Sequence, residues 1–209
     1  MPPQGFSLRK MSQRSRQKAK EKEIAKVARK VLNEKAELKE HIFGQNTTIS
    51  TTGSLFCMTE VDQGDAYNSR DGGEISIQGI DLRYTVTYAD ATNQMRVIVF
   101  TWNDGATNPV TGDVLQAPGS WDVLSYLDRH GDVPYKVLYD KTHLVDNTSN
   151  PQKNGRINLR FKNGIRCYYN GSQGTDYGKR QIWMLCISDS IASTHPAFRG
   201  VGYVYFNDF

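Results

Sequence analysis

Glu74 to Ala89 reads "EISIQGIDLRYTVTYA", and the parity of its apolar residues decides the fold. Ile75 and Ile77 alternate on odd numbers, whereas Ile80, Leu82, Tyr84, Val86 and Tyr88 alternate on even ones. A period of two marks a strand with one buried face. The parity changes at Gly79, which predicts a β-bulge that bends one long strand without ending it. Immediately before it, "QGDAYNSRDGG" (63–73) crowds three glycines and two acids around Arg70, the chemistry of a tight, charged turn.

Outward from this strand the same language continues. Runs rich in β-branched and aromatic residues recur at "SLFCMTEV" (54–61), "MRVIVFTW" (95–102) and "YKVLYDKTHLV" (135–145). They continue at "RINLRFKNGIRCYYN" (156–170), "RQIWMLCISDS" (180–190) and "GVGYVYF" (200–206), each bounded by turn residues. One helix is expected among them, at "SWDVLSYLDRHG" (Ser120 to Gly131), with a capping Ser and a closing Gly. The Thr-rich "QNTTISTTGS" (45–54) reads as a hinge or edge segment. Strands joined by long connections without βα alternation predict an all-β, eight-stranded antiparallel jelly-roll sandwich over 44–209.

The N-terminal 43 residues form a different kind of segment. Residues 1–16 lack periodicity and are expected to be disordered, while 17–40 are rich in Lys, Glu, Ala and Leu and predict a helix. Ile24, Val27, Ala28, Val31, Leu32 and Leu38 form one apolar stripe along it. Of the 26 Lys and Arg, 12 lie within residues 1–40, with only 5 of the 22 acids. A basic arm on a slightly acidic body predicts a polyanionic partner for the arm.

Several function classes drop out. The longest apolar run, "IWMLCI" (182–187), is far short of the ~20 residues of a membrane helix. The N-terminus has no apolar signal-peptide core. Cys57, Cys167 and Cys186 are far apart in apolar runs and read as buried, reduced thiols. His41, His130, His143 and His195 have no metal-ligand spacing with them. No Walker loop, G-x-G-x-x-G or G-x-S-x-G is present, and Asp62 and Asp65 read as turn carboxylates rather than a general acid–base pair. No catalytic residues are expected.

Nucleic-acid binding through the arm is the reading that remains. Arg9, Lys10, Arg14, Arg16, Lys18, Lys20, Lys22, Lys26, Arg29 and Lys30 are closely spaced, and Phe6 is the sole aromatic residue before Phe43. Without stacking platforms, such an arm neutralises phosphates irrespective of sequence. The alternative is a trimeric jelly-roll or other β-sandwich binding module with a polybasic tail.

The residues also carry a family likeness. The pattern Gln63, Gly64, Asp65, Asn68, Arg70, Gly72 leading into "EISI" resembles the coat proteins of the satellite tobacco necrosis virus type, whose relatives occur in small circular single-stranded DNA viruses. "VARKVLN" (27–33), "MRVIVFTWND" (95–104) and "IWMLCISDS" (182–190) resemble further family segments in the same order. The resemblance implies a virion component with no membrane partner. In it, sixty subunits close a T=1 icosahedral shell inside the host cell, in cytoplasm or nucleus, around single-stranded RNA or DNA. It implies that the basic helices point inward at the genome. It also implies calcium between subunits, with Asp65 as an acid ligand and carbonyls around Asp71 and Glu74 as others. The family's C-terminal acid falls at Asn207, beside Asp208, and its helix-end acid at Glu37 or Glu40.

Overall fold

Eight strands carry the chain from Leu38 to Asp208 and pair into two antiparallel sheets. The computed structural model describes residues 15–25, 27, 37–116, 122–129, 135–191 and 194–208. One sheet has the order β1-β8-β3-β6, from β1 (Leu38–Thr48), β8 (Ala197–Asp208), β3 (Glu74–Thr87) and β6 (Gln152–Tyr168). The other has the order β2-β7-β4-β5, from β2 (Ser54–Cys57), β7 (Gln181–Ser188), β4 (Thr92–Trp102) and β5 (Tyr135–Asp146). This is the expected all-β jelly-roll sandwich.

The parity switch is a bulge, as its residues predict. The register of β3 shifts between Ile77 and Gly79 against both β6 and β8. On either side of the shift, Ile75, Ile77, Ile80, Leu82, Tyr84 and Val86 all point into one core. There they meet Met95, Val97 and Val99 of β4 and Met184 and Cys186 of β7 from the facing sheet. All three cysteines are buried and unbridged, and burial pushes the Cys57 thiol up to about 12.

The two sheets differ on their outer faces. Every residue of β7 is buried, because the back of its sheet is covered as well. Ile98, Phe100, Trp102, Leu185 and Ile187 form a second core there with Val114 and Leu115 from the β4–β5 connection. This is why "IWMLCI" reads as a continuous apolar run and not an alternating one. The β1-β8-β3-β6 sheet has no such cover among the described residues, and its outer face exposes polar, charged and aromatic side chains together with Leu38, Ile42 and Val201.

Two expectations require correction. The helix expected to run through Glu40 ends earlier, because Leu38–Thr48 is the strand β1, paired in continuous register with β8 from Leu38↔Asn207 to Thr48↔Ala197. Leu38 therefore belongs to a strand, and of the two readings of 45–54 the edge segment holds over 45–48, which is paired backbone of the edge strand β1 and not a hinge. Phe43 is the residue that anchors β1 in the core. The β-sandwich unit accordingly spans Leu38–Asp208, and the N-terminal unit runs to Glu37.

The helix expected at Ser120 to Gly131 is also absent over its described part, 122–129. Arg96 Nη1 donates to the carbonyls of Val123 (3.1 Å) and Ser125 (2.6 Å), groups that a helix would use internally. Leu127 instead bridges to Leu115, and the connection's only described helical turn is Thr111–Val114.

In the N-terminal unit the described helix, α1, covers 15–25, so Ser15 and Arg16 are helical rather than part of a disordered lead. No described helix is long and apolar enough to cross a membrane.

Candidate subunit-junction and nucleic-acid interfaces

The turn-rich stretch before β3 is built around a buried arginine. Arg70 is fully buried, and its Nε donates to the Val61 carbonyl at 2.9 Å. Its Nη1 and Nη2 donate to the carbonyls of Gly72 and Gly171, and the guanidinium lies 4.1 Å from the Tyr169 ring centroid. The backbone closes the same knot, with Gly64 N–H donating to Arg70 O at 2.9 Å and Arg70 N–H to Asp62 O at 3.0 Å. Asp62 Oδ1 accepts from Gly174 N–H at 2.6 Å, which ties this loop to the one after β6. Asp62 therefore faces its own subunit. Asp65 sits exposed at the rim of the knot.

A second cluster joins the start of β1 to the end of β8. Lys39 is buried, and its ammonium donates to Asp71 Oδ1 (3.0 Å), Asp208 Oδ2 (3.3 Å) and the Ser69 carbonyl (3.2 Å). Asp208 Oδ2 also accepts from Asp71 N–H at 2.5 Å. Burial alone would lower the lysine's pKa, but the hydrogen bonds and charges of Asp71 and Asp208 outweigh it and raise the value. Three donors thus meet three acceptors, and one cation is shared between the two acids. Sequence reasoning missed Lys39 because its partners lie 32 and 169 residues away.

The six residues named for calcium, Asp71 and Glu74 among them for their carbonyls, do not gather their side chains into one site within a subunit. Asp71 and Asp208 converge, but on the Lys39 ammonium. Glu74 lies 3.6 Å from Arg166. Asp65 and Glu37 are exposed, and Glu40 is half-buried in β1. Among the described residues no three His, Cys, Asp or Glu side chains are grouped to hold a metal ion. Within one subunit, then, the donor set does not fit calcium, because the best-placed acid pair is already satisfied by an amine.

Of the ten basic residues named for the arm, Arg16, Lys18, Lys20 and Lys22 lie exposed on α1. Arg16, Lys20 and Ile24 are spaced i, i+4, i+8 on one line, whereas Lys18 and Lys22 occupy another. The four cations therefore lie on two sides of this part of the helix, with Glu21 and Glu23 also exposed. Ile24 and Val27 are exposed, so the described part of the apolar stripe is available for contact. Arg9, Lys10, Arg14, Lys26, Arg29 and Lys30, with Ala28, Val31 and Leu32 of the stripe, lie outside the described residues.

Comparison with known proteins adds a family match. The family model described as the satellite tobacco necrosis virus coat protein matches residues 11–207. Among solved structures, similarity extends to desmodium yellow mottle tymovirus, 10% identical with a TM-score of 0.39, covering 83% of this chain and 88% of that one. The VP2 subviral particle of infectious bursal disease virus is 4% identical with a TM-score of 0.28, over 82% of this chain and 33% of that one. No curated protein matches the sequence.

Proposed function

The chain belongs to the satellite tobacco necrosis virus coat protein family, and from that membership we propose that it is the subunit of a T=1 shell of 60 copies that packages single-stranded nucleic acid. As a coat protein it is a structural virion component rather than an enzyme. The observation that carries the finer reading is the union, within the matched span, of an eight-stranded sandwich and a strongly basic helical arm.

The arm works by charge. Residues 1–37 hold 11 Lys and Arg against 4 Glu, a net +7. Sixty such arms bring about 420 positive charges inside, a sizeable part of the charge on a genome of about a thousand nucleotides. Release of condensed counterions drives the contact and makes it salt-sensitive and indifferent to sequence. The exposed apolar residues of α1 are suited to meeting other copies of the same helix.

The Gln63–Gly73 knot is proposed to stand at a junction between subunits. Its outermost acid, Asp65, is the candidate to meet carboxylates of a neighbouring copy, with Glu37 or Glu40, around a calcium ion. Such a site needs the neighbour, since Lys39 already serves the acids that converge within one subunit.

The decisive experiment is expression of the full chain, followed by size fractionation, particle mass and the 260/280 nm absorbance ratio. The expected product is a particle of roughly sixty subunits holding nuclease-protected nucleic acid. A monomer or trimer that stays small at low salt, with nucleic acid and calcium supplied, overturns the shell reading. EDTA treatment of particles, alongside Asp65→Asn, then tests calcium: both should loosen the shell together, and a shell indifferent to both has no such ion.

A further inference from the structure

The basic residues of the shell unit are not spread evenly. Beyond residue 40 the chain carries 14 Lys and Arg against 17 acids, so an average face of this unit should be slightly acidic. The outer face of the β1-β8-β3-β6 sheet departs from that average. Strand register places Arg83 directly beside Arg156, and Val201 of β8 on the other side of Arg83. Arg199 flanks Thr85 one row away, and Arg160 flanks Gly79 at the other end. Between them stand Tyr203 and Tyr205, stacked with ring centroids 6.2 Å apart. Arg83, Arg156, Arg160 and Arg199 are all exposed, and Tyr203 keeps 40% of its surface in solvent.

The acids here are few and partly committed. Asp81 makes two hydrogen bonds to Arg156, at 2.9 and 2.7 Å, and Arg83 and Arg160 help hold its carboxyl below the usual range. Glu40, opposite Tyr205, is the second, and Glu74, at the start of β3, lies 3.6 Å from Arg166. With Arg166 counted, five arginines against three acids leave the face positive.

Its geometry is also prepared. The Arg160 guanidinium lies 5.1 Å from the Tyr205 ring centroid. A Cβ at Gly79 would stand 2.6 Å from Arg160 Nη1, so the bulge glycine creates the space in which the arginine reaches across the sheet. These basic groups are arginines, whose planar fork matches phosphate oxygens and stacks on rings. Exposed tyrosines on a sheet among such groups form a platform on which unpaired bases stack. Much of the facing sheet's outer face is instead covered by the chain's own connection, with Ile98, Phe100, Trp102, Leu185 and Ile187 packed against Val114 and Leu115.

We propose that this uncovered sheet face is a second binding site for single-stranded nucleic acid, with Arg83, Arg160 and Arg199 taking phosphates and Tyr203 and Tyr205 stacking on bases. It deepens the packaging reading and rests on it. The arm runs in sequence into β1, which begins at Leu38 and is one of the strands of this sheet. The arm would supply sequence-blind neutralisation, while the sheet would supply the stacking that α1, without aromatic residues, cannot.

The test uses the full chain and a fluorescein-labelled oligo(U) 20-mer, with oligo(dT) in parallel, read by anisotropy across a salt series. Two face variants are compared, R83Q/R160Q/R199Q and Tyr203→Ala/Tyr205→Ala, with R16Q/K18Q/K20Q/K22Q as the arm variant. Arg156 is left intact because it holds Asp81. The arginine variant should lower the slope of log affinity against log salt by about two to three. The tyrosine variant should weaken binding at least tenfold with the slope unchanged. Face variants that bind as wild type, while the arm variant loses affinity, overturn the sheet site and leave arm-driven packaging standing. Face variants that alter particle mass but not oligonucleotide affinity also overturn it and assign the face to a second copy of the chain. A wild-type chain that binds neither oligonucleotide at low salt overturns both readings.

Discussion

Arg70 and His143 show what single buried polar groups do in this shell unit. The Arg70 guanidinium satisfies three carbonyls from two loops, so Arg70→Met should leave buried acceptors without donors. The expected loss is on the order of 3 kcal/mol, read as a lower urea midpoint at unchanged slope. An unmoved midpoint would mean that water takes the arginine's place. His143 lies 2.7 Å from the Tyr84 hydroxyl, which is also 2.8 Å from that of Tyr139. Burial, with Lys141 and Lys153 adding to it, lowers its pKa, and burial lowers that of His41 against the pull of Glu60 and Asp62. A depressed histidine pKa means stability fully present above its unfolded value, about 6.5, and lost as pH falls through the folded one. The thermal midpoint should therefore drop between pH 7 and 5, and His143→Gln should flatten part of that fall. A midpoint that rises on acidification would refute the assignment.

At the scale of elements, β1 bears the most consequence. It is an edge strand with a single partner, and Lys39 fastens its first turn of chain to Asp71 and Asp208. Lys39→Met should leave two carboxylates facing each other and lower the thermal midpoint. Millimolar calcium should then restore stability to the variant while leaving the wild-type subunit, measured unassembled, unaffected. A wild-type subunit that gains stability from calcium would show that the amine does not fill the ion's place. On β8, a Cβ at Gly202 would meet the Asp81 carbonyl oxygen at 2.2 Å, a backbone atom held by the sheet. Gly202→Ala should cost about 1–3 kcal/mol by forcing β8 away from β3, and differential scanning calorimetry would read it.

For the whole molecule, the proposed packaging rests on the charge difference between arm and body. Removing four of the arm's charges with R16Q/K18Q/K20Q/K22Q takes its net +7 to +3. Packaged nucleotides per particle should fall by roughly half, measured from the absorbance ratio of purified shells. An unchanged load would assign packaging to the sheet face instead.

At the same scale, what could be read from the residues follows their range of interaction. The all-β class, the bulge at Gly79, the buried thiols and the basic arm were determined by the sequence by itself, because periodicity, turn chemistry and charge are local properties. The "QGD" stretch was recognisable as a turn for the same reason. Only the tertiary structure decided that Leu38 starts a strand, since helix-forming "LKEH" becomes β by pairing with residues some 160 positions later. Only it refused a helix over 122–129, where Arg96 claims the carbonyls. The metal acids were scattered for a like reason: Asp71 and Asp208 meet through Lys39, a contact that no local pattern announces. Adjacency across strands is set by global register, and so the arginine–tyrosine face, assembled from three strands, became visible only once the sheet was formed.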